Sequence, residues 1–303
     1  MVKNVMTIAW AFPGQGSQKL GMADEVISLK GAIERFKSAS EILGRDLLAI
    51  CRGQSNCKDE LGDLNDTRNT QPAMFVIESL LIDDLKRQGR KADLLAGHSL
   101  GEFVALYAAE VFDVQTGLVL LKTRSELMSA AGGGAMTAVL GFDRKQLEDL
   151  VGNTSGVVIA NDNSSEQVVL SGTPDAVNSV AGQLTCKRIV PLKVSGAFHS
   201  PFMKAAANDF ALQLDDVLFS DGVVPVLSNV DPSPVQDGDL LKERLKRQMI
   251  TGVRWRETMK TMETKGVKTF VEIGPGKVLS GLAKRSMQGI TLSQVSSAND
   301  LGH

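Results

Sequence analysis

From Gly134 to Val194 the sequence alternates in an order that few folds accommodate. A β-favouring run (Ala135–Leu140) gives way to a helix pattern (Asp143–Val151) and two further strand patterns (Val157–Ala160 and Gln167–Ser171). A second helix pattern (Thr173–Leu184) and a last strand (Lys187–Val194) complete it. The order β-α-β-β-α-β is that of a ferredoxin-like unit. It sits inside a longer alternation, with strands expected at Thr7–Phe12, Asp93–Ala96, Val224–Ser228 and Thr269–Ile273. A helix is expected to start at Asn69-Thr70-Gln71-Pro72, where a capping residue precedes a proline and an apolar stripe follows (Met74, Phe75, Ile77, Leu80, Leu81). Strands separated by helices read as α/β architecture. The expectation is a large α/β subdomain (1–131 and 195–303) with a ferredoxin-like small subdomain (132–194) inserted. Gly132-Gly133-Gly134 and Ser195-Gly196 would be the hinges, and the cleft between the parts is the default place for a ligand.

At 303 residues the chain can bury a substantial core, and 43% hydrophobic with 22% charged residues is ordinary globular composition. A net charge of −2 implies no general attraction to nucleic acid or an anionic membrane. No run approaches the roughly 18 apolar residues of a membrane span, and the N-terminus has no secretory h-region. Three cysteines (Cys51, Cys57, Cys186) make neither a disulfide framework nor a zinc site. They read as reduced thiols of a cytoplasm-like compartment, a bacterial cytosol or an organelle whose transit peptide has been removed.

Residues 96–102 read AGHSLGE. Gly97-His98-Ser99-Leu100-Gly101 fits G-x-S-x-G, preceded by the strand DLLA and followed by the helix pattern EFVALYAAEVF. That context turns the chain sharply and exposes the Ser99 hydroxyl at the strand's carboxyl end. A serine needs a base. Of three histidines, His303 is terminal, and His98 adjoins Ser99 with its side chain expected to point away. His199, in SGAFHSPFM, remains. No aspartate stands out to orient it; a backbone carbonyl or an amide side chain could serve. A negative oxygen formed at an attacked carbonyl needs two N–H donors. The amide of Leu100 is one candidate. The other is the amide of Gln15 in FPGQGSQ (12–18), a turn that completes neither G-x-G-x-x-G nor a P-loop.

Arg124 is the most informative residue about substrate. On the helix expected at Val114–Ala130 it falls among Leu120, Leu121, Leu127 and Met128. A buried arginine needs an anion, and its planar fork suits a carboxylate. Either a salt bridge inside the core or an acyl group with a free carboxylate would supply one. GPGK (274–277) reads as a strand–turn–helix more readily than as a phosphate cradle. LLKERLKRQ (240–248) reads as a solvated basic helix more readily than as a docking surface for an acidic protein.

Together these segments resemble the acyltransferase family of fatty-acid and polyketide synthesis, the malonyl-CoA:acyl-carrier-protein transacylases. The resemblance rests on FPGQGSQ, the TQPA helix start (70–73), GHSLGE (97–102), the helix bearing Arg124 and GAFHSPFM (196–203). It continues through Gln248 before VRW (253–255), and VEIGPG (271–276). It implies an α/β-hydrolase-like large subdomain with the ferredoxin-like insertion. It also implies malonyl transfer from coenzyme A to the phosphopantetheine thiol of acyl carrier protein through a Ser99 ester, by a ping-pong mechanism. Ser99 would be the nucleophile, His199 its base, Gln15 and Leu100 the oxyanion donors and Arg124 the carboxylate anchor. The main-chain carbonyl of Gln248 would orient His199. His98, Met128, Asn161, Asn163 and Phe198 would line the pocket, with Phe198 leaving little room for a branch methyl. Ser125 stands where many members have glycine, a change expected to be harmless on a helix. No metal or redox cofactor, no nucleic acid and no membrane is implied, and a monomer is expected. The alternatives are a serine thioesterase or acyl hydrolase, and a catalytically silent carrier-protein-binding subunit.

Overall fold

Alternation of side chains along the first strand divides the large subdomain into two apolar layers. Ala9 and Ala11 face one side of the sheet, where they pack with Trp255, Met259 and Leu282. Trp10 and Phe12 face the other, with Met74, Phe75 and Leu106. A strand buried on both faces is what a parallel sheet between helical layers requires. The computed structural model describes residues 7–56, 60–194 and 196–302.

In chain order the elements are β1 (Thr7–Phe12), α1 (Ala32–Leu43), α2 (Leu47–Cys51), α3 (Thr67–Arg87), β2 (Leu94–Gly97), α4 (Gly101–Ala108) and α5 (Val114–Ala130). Next come β3 (Ala135–Phe142), α6 (Arg144–Asn153), β4 (Val157–Ser164), β5 (Gln167–Gly172), α7 (Pro174–Gln183) and β6 (Cys186–Pro191). The chain finishes with α8 (Lys204–Asp215), β7 (Val226–Leu227), α9 (Gly238–Arg247), α10 (Trp255–Thr264), β8 (Val267–Ile273), α11 (Val278–Ser286) and β9 (Thr291–Val295).

Five strands form the large sheet in the order β7-β2-β1-β8-β9, and all four pairings are parallel. The second sheet, β4-β5-β3-β6, is antiparallel throughout. Its β-α-β-β-α-β connectivity is the ferredoxin-like one. One face carries α6 and α7 over Val139, Leu147, Leu170 and Val177. Met136, Ala138, Ala160 and Val169 belong instead to the core shared with the large subdomain. The passages between the subdomains meet at a bridge between Gly132 and Gly196; Ser195, the other expected hinge residue, lies outside the described residues, as do Cys57 and His303.

The helix expected from Asn69 begins earlier. Asp66 is the cap, accepting from the amide of Arg68, and Pro72 lies inside α3. Proline in a helix leaves the carbonyl four residues back without its usual donor. Here that carbonyl belongs to Arg68, and the Arg45 guanidinium donates to it across 2.7 Å. A side chain 23 positions upstream thus replaces the missing backbone bond, which no local pattern announces.

The turn at Gly274 and α11 is closed from within. Glu272 accepts from the amides of Leu279 (3.0 Å) and Ser280 (2.7 Å), so a carboxylate of the chain occupies the helix start. On α9, Arg244 is buried and bonded to Asp231 and Ser233, and Lys246 pairs with Asp215 and Glu243. Much of the basic run is therefore satisfied internally.

Candidate active site

The turn after β2 tolerates no side chain at either glycine. A Cβ on Gly97 would fall 1.8 Å from the Gly101 carbonyl, and one on Gly101 would fall 2.2 Å from the Phe12 carbonyl. This close approach leaves Ser99 at φ 55°, in the left-handed region, at a cost of about 1–2 kcal/mol. Asn229 holds the strained turn: its Oδ1 accepts from the Ser99 amide (2.7 Å) and its Nδ2 donates to the Gly97 carbonyl (2.6 Å). His199 has the same unusual conformation, φ 54°, in the segment that returns from the small subdomain.

These two residues meet. Ser99 Oγ lies 2.7 Å from His199 Nε2, and His199 Nδ1 lies 3.0 Å from the main-chain oxygen of Gln248. A carbonyl only accepts, so Nδ1 carries the proton and Nε2 presents its lone pair to the serine hydroxyl. The third member of the line is thus a backbone carbonyl, one of the two possibilities the sequence left open.

Arg124 closes the site from α5. Only 1% exposed, it donates to Gln71 Oε1 (2.6 Å), Gln248 Oε1 (2.8 Å) and Ser99 Oγ (3.1 Å). Its guanidinium carbon stands 5.3 Å from the centre of the Phe103 ring. Arg124 Nε has no partner among the described residues. Of the neighbours expected on its helix face, Leu120, Leu121 and Met128 are buried, whereas Leu127 is half-exposed and Ser125 takes a buried place.

A cavity of about 90 Å³ opens at this cluster, lined by Ser99, His199, Arg124, Gln15, Leu100, His98, Met128, Asn161 and Phe198. Gln71, Met136, Leu192 and Val194 complete the wall. The cavity therefore lies between the subdomains. Asn163 and Gln248 stand behind it. Asn163 Oδ1 meets His98 Nε2 at 2.8 Å, fixing that ring, and Gln248 is reached through His199 and Arg124. The amides of Gln15 and Leu100 donate to no protein acceptor among the described residues.

Sequence reasoning missed four residues. Gln71 belongs to TQPA and Glu102 to GHSLGE, so both stood inside quoted motifs. Thr67 donates to Gln15 Oε1 (3.0 Å) and accepts from Gln71 Nε2 (2.9 Å), tying the FPGQGSQ turn to the residue that holds Arg124. Neither Thr67 nor Asn229 carries a local signal.

Burial dominates the electrostatics. Burial first and the charge of Arg124 second, opposed by the Gln248 carbonyl, bring His199 down to about 3. Arg124 itself is drawn down to about 10 by burial, against the pull of Glu102. Burial raises Glu102, while hydrogen bonds from Gln248 and Asn229 act the other way. His98 is lowered by burial despite its Asn163 contact. The result is a neutral imidazole beside a serine, with one buried cation a hydrogen bond away. Among the described residues no cluster of three or more metal-ligating side chains occurs.

An elbow serine on a parallel sheet, a histidine just past the inserted subdomain and a buried arginine are the geometry of an acyl-handling α/β enzyme. The chain belongs to the acyl transferase domain family, whose sequence profile matches residues 9–302. It is 50% identical over 296 residues to a malonyl CoA-acyl carrier protein transacylase of Synechocystis sp., covering 98% of this chain and 99% of that one. The crystal structure of a malonyl-CoA:ACP transacylase from Synechocystis sp. superposes with a TM-score of 0.93 at 49% identity, covering 98% of this chain and 99% of the other. A malonyl-transacylase solved in complex with a type II PKS acyl-carrier protein gives a TM-score of 0.90 at 34% identity, covering 97% of each chain.

Proposed function

We infer that this protein transfers the malonyl group of malonyl-CoA to the phosphopantetheine thiol of an acyl carrier protein. Arg124 carries the reading: a buried guanidinium touching the hydroxyl that attacks. A simple acyl chain has no group to match that charge, whereas the free carboxylate of malonate does.

In the first half-reaction the substrate carboxylate lies against Arg124. Ser99 Oγ forms a bond to the thioester carbon as its proton passes to His199 Nε2. The negative oxygen rests on the amides of Gln15 and Leu100, each such donor contributing about 3–4 kcal/mol. The carbon–sulfur bond then breaks, and His199 returns the proton to the departing coenzyme A sulfur. The second half-reaction runs the same chemistry in reverse order. The carrier thiol gives its proton to His199 and bonds the acyl carbon, and Ser99 Oγ leaves and recovers a proton. Exchange between thioesters changes no oxidation level, so the reaction as written needs no redox cofactor.

The lowered basicity of His199 works against taking the serine proton and favours returning it, the ideal pKa for both lying near the operating pH. An imidazolium so weakly held hands its proton readily to a leaving sulfur. Binding of the malonyl carboxylate also neutralises Arg124, removing one of the influences that depress the histidine. Met128, Met136, Phe198 and Leu192 shape the rest of the pocket, and His98, fixed by Asn163, forms part of its wall. Malonyl units delivered this way would feed fatty-acid or polyketide assembly. No helix among the described residues is long and apolar enough to cross a membrane, and we place the protein, as a monomer, in a cytosol-like compartment.

The test is intact mass after brief exposure to malonyl-CoA. An adduct of one malonyl group, absent in Ser99→Ala and discharged by holo carrier protein, is expected. Free malonate accumulating without a transferable adduct would favour a hydrolase instead.

A further inference from the structure

We propose that Glu102 is a positioning residue for the transfer, locking the carboxamide of Gln248 and the turn at Ser99 into their working arrangement. This rests on the malonyl-transfer reading above. Glu102 sits in the first turn of α4, three residues after the nucleophile, and is 1% exposed. A carboxylate is favoured at a helix start, yet its contacts lead elsewhere.

One oxygen of Glu102 organises two supports. Oε2 accepts from Gln248 Nε2 at 2.7 Å and from the Asn229 amide at 3.1 Å. Asn229 is the residue whose side chain pins Gly97 and Ser99. Gln248 is the residue whose main-chain oxygen meets His199. The nucleophile and its base are thus steadied from a single buried acid whose carboxyl group touches neither.

The polarity of the Gln248 amide explains why an acceptor is needed at this position. Its Oε1 faces Arg124, which can only donate, and its Nε2 faces Glu102 and the Ser99 carbonyl, which accept. A flipped amide would set NH₂ against a guanidinium and oxygen against a carboxylate, so only one orientation is satisfied. Removing the acceptor at 102 frees the amide to rotate. The backbone of residue 248 and the guanidinium of Arg124 then both lose a fixed neighbour. A buried carboxylate therefore orients the histidine at one remove, through a glutamine whose carbonyl makes the direct contact.

The experiment compares Glu102→Gln, Glu102→Ala and Glu102→Asp in the full chain. Malonyl-enzyme formation from malonyl-CoA is followed by rapid-quench intact mass, beside ¹⁵N-histidine NMR and thermal unfolding. Glutamine offers an oxygen at the same place, so it should keep kcat within about threefold and keep the His199 tautomer. Alanine removes the acceptor and aspartate withdraws it, so each should lower kcat by roughly 10–100-fold and move the His199 nitrogens toward mixed tautomers. These effects are expected well below each variant's unfolding temperature. If Glu102→Ala does not fold, Glu102→Asp carries the comparison with Glu102→Gln. Wild-type kcat and histidine signals in Glu102→Asp or Glu102→Ala would overturn the proposal. So would losses that merely follow thermal stability in all three variants. Absence of any malonyl adduct in the wild type would instead overturn the malonyl-transfer reading.

Discussion

The guanidinium of Arg124 donates to the hydroxyl of Ser99 across 3.1 Å, while that hydroxyl faces His199 Nε2 at 2.7 Å. The group suited to a substrate carboxylate therefore already touches the hydroxyl proposed to attack the thioester. Arg124→Ala should lower kcat/KM for malonyl-CoA by at least about 100-fold, since each hydrogen bond to a charged group contributes about 1.5–3 kcal/mol. Acylation by acetyl-CoA, which has no carboxylate to lose, should change by less than about tenfold on the same principle. Paired acyl-enzyme rates for the two thioesters check this, and equal losses for both would remove Arg124 from substrate choice.

His199 ties stability to pH. Its pKa falls from 6.5 to about 3 on folding, through burial first and Arg124 second. Between those values the unfolded chain binds the extra proton, so stability rises with pH through this window and is fully present above 6.5. The slope from one such group is about 1.4 kcal/mol per pH unit. Urea titrations of wild type and His199→Gln between pH 4 and 7 should diverge as pH rises, the variant lacking this contribution. Parallel curves would mean that the ring is not buried neutral.

Glu78 predicts the opposite sign. It is fully buried on α3, with neither carboxyl oxygen partnered among the described residues, and it lies against Gly274, whose added Cβ would fall 2.7 Å from Oε1. Burial, and next the charge of Glu272, push its pKa well above 4.5. The folded chain then holds a proton that the unfolded chain releases. Stability contributed by the neutral acid is present below 4.5 and is lost as pH rises through the folded pKa. Glu78→Gln keeps the shape without the ionisation. Its thermal stability relative to wild type should increase as pH is raised from 5 to 9, read from melting curves at each pH.

The glycines divide into two kinds. Gly97→Ala sets a methyl 1.8 Å from backbone atoms of Gly101, so a loss of about 3 kcal/mol or more is expected, with the elbow displaced. Gly182, within α7, has open space at the corresponding place and no positive φ. Gly182→Ala should stabilise by about 0.5–1 kcal/mol through its helix propensity. Denaturant midpoints and acylation rates of both variants test the contrast.

Much of the site was legible because its signals are local. G-x-S-x-G needs a strand before it and a helix after it, and both lie within a few residues of Ser99. Only three histidines had to be sorted, and an arginine among leucines on α5 stands out by periodicity alone. The start of α3 was misplaced because local grammar puts proline in a first turn. Here Arg45 supplies the donor that lets the helix begin at Thr67, two residues before Asn69.

By itself the sequence determined the alternation of strands and helices, the inserted β-α-β-β-α-β unit and the candidate nucleophile, base and buried charge of the proposed site. These depend on short-range periodicity and on glycine's conformational freedom, which any stretch of chain displays. Only the tertiary structure decided which groups meet. It brought Gln248 to His199 from 49 residues away, Arg124 to Ser99 from 25, and Asn229 to the elbow from 130. It also set Glu102 and Arg124 at opposite ends of one amide. Hydrogen-bond partners of that kind are chosen by packing between elements far apart in the chain, and packing leaves no periodic trace along it.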